Sequence, residues 1–81
     1  MSSISDLRRA GDETRAAFVR GVADDLGQQI RRRQVDEPRA RELAAGLRFQ
    51  ASLLLPTHMD IYDRIYQARF ERLIEQFLRA A

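Results

Sequence analysis

Proline occurs only twice in the 81 residues, at positions 38 and 56. No stretch around them alternates apolar and polar residues in the two-residue rhythm of a half-buried strand. A chain punctuated so sparingly is predicted to be helical almost throughout. The prolines divide it into stretches at about 4–33, 38–55 and 57–79. The fold class expected is all-α, a helical hairpin plus a third, aromatic-rich helix, in a single helical domain over residues 1–81. The rival arrangement has two long helices, the second kinked at Pro56.

In the first stretch, Ser3 followed by Asp6 has the form of a capping box. Phe18, Val22, Leu26 and Ile30 then recur every four residues, flanked by Leu7, Ala10, Val19 and Ala23. Gly11, Gly21 and Gly27 each cost about 1 kcal/mol relative to alanine inside a helix, so packing rather than propensity must hold this one. It closes on Arg31-Arg32-Arg33, cations at the end where free carbonyls carry partial negative charge. The break at Gln34-Val35-Asp36-Glu37-Pro38 sets acids before a proline, which needs no amide partner in a first helical turn. A link this short predicts an antiparallel hairpin.

The second stretch carries apolar residues on two faces. Ala40, Leu43, Ala44, Leu47, Ala51 and Leu54 form one stripe; Ala45, Phe49 and Leu53 form another, pointing largely away from it. A helix apolar on two sides is expected to be sandwiched between neighbours or to lie at an interface. Leu55, held out of the helical region by Pro56, is the predicted end. Thr57, with Asp60 three residues on, offers a new N-cap, so a corner is preferred to a kink.

In the third stretch apolar residues return every four positions: Ile61-Tyr62, Ile65-Tyr66, Phe70, Leu73-Ile74 and Phe77-Leu78. Four residues exceed one α-helical turn, so such a row drifts by about 40° per repeat and is expected to wind around the helix. Asp60 with Arg64 and Glu75 with Arg79 are spaced to pair on the solvated side.

Composition removes several classes of chemistry. There are no cysteines and one histidine, which excludes a disulfide scaffold, a cysteine zinc site, an iron–sulfur centre and a cysteine nucleophile. No apolar run approaches the roughly 20 residues that span a bilayer. Met1-Ser2-Ser3-Ile4-Ser5-Asp6 lacks the basic flank and apolar core of a secretory signal, so a cytoplasmic location is expected. Every one of the fourteen basic residues is arginine; the net charge is only +2, and the excess sits in the first third. Arginine without lysine points to G+C-rich coding and so to a bacterial or phage source. The charges of the last stretch balance, unlike those of a membrane-surface helix.

His58 is the one candidate general base. Asp60, two residues on, points to another side of a helix and cannot orient it, and neither Asp60 nor Asp63 stands at chelating spacing to it. No Gly-rich phosphate loop or nucleophile elbow occurs. The sequence reading is therefore no enzyme, with no cofactor, metal or small-molecule substrate expected. The surplus of apolar directions instead predicts a protein-binding module: a small adaptor, chaperone, inhibitor or regulatory subunit that self-associates, as a dimer, or covers a partner protein. Phe49, Leu53, Met59, Tyr62, Tyr66 and Phe70 are the residues predicted to meet that partner. Tyr62, Tyr66 and Phe70 could also stack bases, though Ile61, Ile65 and Leu73 continue their surface as packing would. The alternative function is a nucleic-acid-binding transcriptional regulator whose basic patch, Arg31, Arg32 and Arg33, meets phosphates. A helix-turn-helix centred on Pro56 is opposed by Asp60 and Asp63 at the front of its recognition helix.

Overall fold

The computed structural model describes residues 11–79, and helices make up all of their regular structure. Helix α1 is Asp12–Arg31 and α2 is Glu37–Leu54. A single 3₁₀ turn, Pro56–His58, leads into α3, residues 59–78. The three pack compactly: α1 and α2 form a hairpin, and α3 lies against both. Val19 shares a cleft with Tyr62, and Gly27 lies beside Leu73, so α1 and α3 run in the same direction with α2 opposed.

Helix α1 starts where Gly11 is extended (φ −69°, ψ 163°), with Asp12 and Glu13 supplying negative charge to the first turn. The predicted start near residue 4, with the Ser3–Asp6 capping box, Leu7 and Ala10, lies outside the described residues. Within α1 the buried row is Val19, Ala23, Leu26 and Ile30, while Phe18 and Val22 are only partly covered. The every-four row expected from Phe18 fails for a geometric reason. This helix is regular, so steps of four drift and only steps alternating between four and three stay on one side.

The end of α1 is a Schellman closure. The Gln34 N–H reaches the Gln29 carbonyl at 2.9 Å and the Arg33 N–H the Ile30 carbonyl at 3.0 Å. Arg33 occupies the left-handed position of this motif, with φ 55°, where glycine is usual. The next helix opens as its sequence implies: the Arg39 N–H donates to Asp36 Oδ1 at 2.9 Å, with Pro38 in the first turn.

Helix α2 buries Ala40, Ala44, Leu47, Ala51 and Leu54. Alanine at three of these five positions leaves little side chain between neighbouring helices. Its second stripe faces outward, so α2 is not sandwiched: Phe49 and Leu53 are exposed. The chain then turns a corner. Leu55 leaves the helical region (φ −133°, ψ 56°), and the His58 N–H returns to the Leu55 carbonyl at 3.0 Å. Thr57 makes no N-cap; its Oγ1 stands 3.1 Å from His58 Nδ1 within the 3₁₀ turn.

Helix α3 alternates α-helical turns, Met59–Tyr62 and Ala68–Leu73, with π-helical turns, Asp63–Gln67 and Ile74–Leu78. The wide turns close through bonds five residues apart, from the Ala68 N–H to the Asp63 carbonyl and from the Arg79 N–H to the Ile74 carbonyl. This changes the pitch of the helix. Mixed wide and ordinary turns bring its average close to the four-residue spacing of its apolar side chains. The row Tyr62, Tyr66, Phe70, Ile74 and Leu78 consequently stays against the core instead of winding around the helix as predicted. Phe70 is fully enclosed, together with Ile30, Leu54, Ile74 and Val19. The predicted Glu75–Arg79 pair forms at 2.9 Å. Asp60 and Arg64 form no such pair, because Arg64 lies inside the first wide turn and leaves the i,i+4 register.

Candidate functional site

The corner of α2 into α3 sets two of α3's isoleucines where no helix of the chain covers them. Tyr62 turns inward from the first full turn of α3 and is 3% exposed, which leaves its neighbours Ile61 and Ile65 on the outer rim, 47% and 44% exposed. Between that rim and the first turns of α1 lies a cleft of about 220 Å³, walled by Ala16, Val19, Leu55, Tyr62 and Tyr66, with Asp12, Arg20 and His58 at its polar edge. Ligand pockets for small molecules run to roughly 300–1,000 Å³. A cavity below that range, lined almost wholly by hydrocarbon, suits a side chain presented by another polypeptide.

The tyrosines give the cleft its firmness. The rings of Tyr62 and Tyr66 lie 5.4 Å apart at 44°, and the Arg69 guanidinium sits 5.7 Å from the Tyr66 ring centre. Tyr62 Oη is buried with no hydrogen-bond partner among the described residues. That burial pushes its phenol up to about 12, with the nearby Asp63 carboxylate acting in the same direction.

Two inter-helix ion pairs brace the site from the α2 side. Arg48 donates twice to Asp63, at 2.8 Å each, and holds its carboxyl below the usual range. Arg41 donates to Glu37 at 3.0 Å and to both oxygens of Glu71 at 3.2 Å, contacts that strengthen its hold on its proton. Neither bridge follows from local spacing, since each joins residues on different helices.

The six residues expected to meet a partner therefore divide. Phe49 is 65% exposed and Leu53 40% exposed, both on the outer face of α2. Leu53 also borders a groove that continues past Leu55 and His58 to the cleft. Met59 and Tyr66 are half-buried against the core. Tyr62 and Phe70 are inside it, so they cannot be contact residues: the wide turns of α3 rotate them inward. Ile61 and Ile65, which sequence reasoning treated as continuing the packed surface, take their place. Only the four-residue period, which is also the signature of widened turns, could have revealed this exchange.

Arg31, Arg32 and Arg33 are all exposed at the far end of α1. Among the described residues no group of three or more histidine, cysteine, aspartate or glutamate side chains could hold a metal ion. Nor is any described helix long and apolar enough to cross a membrane. No family model matches the chain, and no curated protein or solved structure matches it significantly.

Proposed function

We propose that this protein is a non-enzymatic helical interaction module, of the adaptor, chaperone, inhibitor or regulatory-subunit kind. It works by laying the rim of α3 and the outer face of α2 against another polypeptide, a partner protein or a second copy of itself. The observation that carries this reading is the outward placement of Ile61 and Ile65 on the lip of an apolar cleft, where burial would release water from hydrocarbon at about 25 cal/mol per Å². Phe49 and Leu53 add a second exposed apolar stretch. The wide turn that frames the lip supports the same reading, since single π-helical turns recur at functional sites.

Sedimentation velocity at micromolar concentration, with apolar-dye binding on the same samples, tests the proposal. The expected result is either self-association or a monomer that binds the dye, each lost in Ile61→Ser/Ile65→Ser without loss of helicity. A high-melting monomer that binds no dye would overturn it.

A further inference from the structure

The arginines of this chain divide by what they hold. In α2 and α3, Arg39, Arg41, Arg48, Arg69 and Arg79 each stand within ion-pair distance of a carboxylate. Arg31, Arg32 and Arg33 have no such partner among the described residues. The acids that follow them in sequence are already engaged: Asp36 accepts the Arg39 N–H and Glu37 accepts from Arg41. Arg33 adds a second oddity. It fills the left-handed closing position of α1, which favours glycine, so a guanidinium is kept where the backbone alone would discard it.

We propose that this end of α1 is a docking surface for the phosphate backbone of a nucleic acid. Arg31 ends the helix, Arg32 caps it and Arg33 turns left-handed, so the three guanidiniums leave the chain in different directions around one point. A single anion can meet one or two of them. A duplex, with a charge every ~1.7 Å of its axis, can meet all three at once, and each guanidinium fork fits a phosphate bidentately. Arg31 also lines the groove between α1 and α3 that holds Gln28 and Arg69, which extends the donor surface sideways; there Asp24 partly offsets Arg69 from 3.8 Å. No aromatic residue lies between Ile30 and Pro38, so nothing at this end can stack on bases. The contact is therefore to backbone and indifferent to sequence.

Fluorescence anisotropy of a labelled mixed-sequence duplex, titrated with the full chain between about 50 and 200 mM salt, tests this. The expected result is weak binding whose log–log salt slope is near −3, about −0.9 for each of three contacts. Arg31→Gln/Arg32→Gln/Arg33→Gln abolishes it. Arg33→Gly, which relaxes the backbone and so keeps the fold, reduces the slope by about 1. The proposal fails if the duplex does not bind at the lowest salt, or if the triple variant binds as the parent does. It also fails if poly-glutamate of equal charge competes as well as the duplex, which would assign the arginines to an acidic protein.

Discussion

Arg48 grips Asp63 in a two-pronged hydrogen bond, Nε to Oδ1 and Nη2 to Oδ2, both at 2.8 Å, and so ties α2 to α3 just beyond the corner. The hydrogen bonds, and then the guanidinium charge, lower the carboxyl's pKa in the folded chain. A carboxyl depressed by folding stabilises fully above its unfolded value of about 3.9 and loses that contribution as the pH falls through its folded value. Asp63→Asn is therefore expected to be less stable than the parent at about pH 7, with the two converging on acidification toward about pH 2. Urea melts across that range check it; a gap independent of pH would contradict it.

Phe70 and Phe49 are the same residue type in opposite settings, one fully enclosed and one mostly exposed. Phe70→Ala should cost about 3–5 kcal/mol, a large part of the ~5–15 kcal/mol typical of a folded domain. Phe49→Ser should change stability by no more than about 0.5 kcal/mol. Comparing urea midpoints of the two variants separates core from surface directly.

Arg33 is strained by its left-handed backbone, φ 55°. Arg33→Gly is expected to stabilise the chain by about 1 kcal/mol, a rise of roughly 4–8 °C in Tm for a chain of this size. Arg33→Ala, which keeps the Cβ, should bring no such gain. Thermal melts followed by circular dichroism distinguish the two.

Tyr62 buries a hydroxyl with no partner among the described residues and carries a phenol pushed up to about 12. Folding raises this pKa from about 10, so the folded chain holds the proton more tightly than the unfolded one. The resulting stability is complete below about pH 10 and is lost as the pH climbs through about 12. Tyr62→Phe should flatten this alkaline decline, and at neutral pH it should be neutral or up to about 1 kcal/mol more stable, having lost an unpaired polar group. Chemical melts between about pH 8 and 12 check both parts.

Gly21 faces open space on α1, and a Cβ at Gly27 would rest 3.7 Å from Leu73 Cδ1, an ordinary contact. Each change to alanine should add about 0.5–1 kcal/mol through helix propensity. A loss at Gly27 alone would show that α1 and α3 approach more closely than this spacing.

The parts of the fold that depend on neighbours in sequence were legible beforehand. Asp36 before Pro38 sets the start of α2, and Leu55 before Pro56 sets its end, because each acts through the backbone within a few residues. Which side of α3 faces inward was not legible. The answer turns on the pitch of the helix, and a row in steps of four reads as winding on an α-helix but as straight on one with wide turns. Tyr62 and Phe70 were placed on the surface for that reason, and Ile61 and Ile65 were overlooked. The Arg48–Asp63 and Arg41–Glu71 bridges span 15 and 30 positions, so only the packed helices bring them together. The outward stripe of Phe49 and Leu53 was visible as apolar; that no helix of the chain covers it was not.

A helix that advances in fours tolerates exchange of letters better than loss of one. Deleting a single residue within Asp63–Gln67 would let that turn tighten to the ordinary pitch and would carry everything after it about 100° around the axis. Phe70 would swing out into water and Arg69 or Glu71 would arrive in its place. The spacing between Tyr62 and Phe70 is therefore as much a part of the core as the rings themselves, and length variation in descendants of this chain should be confined to the links between helices.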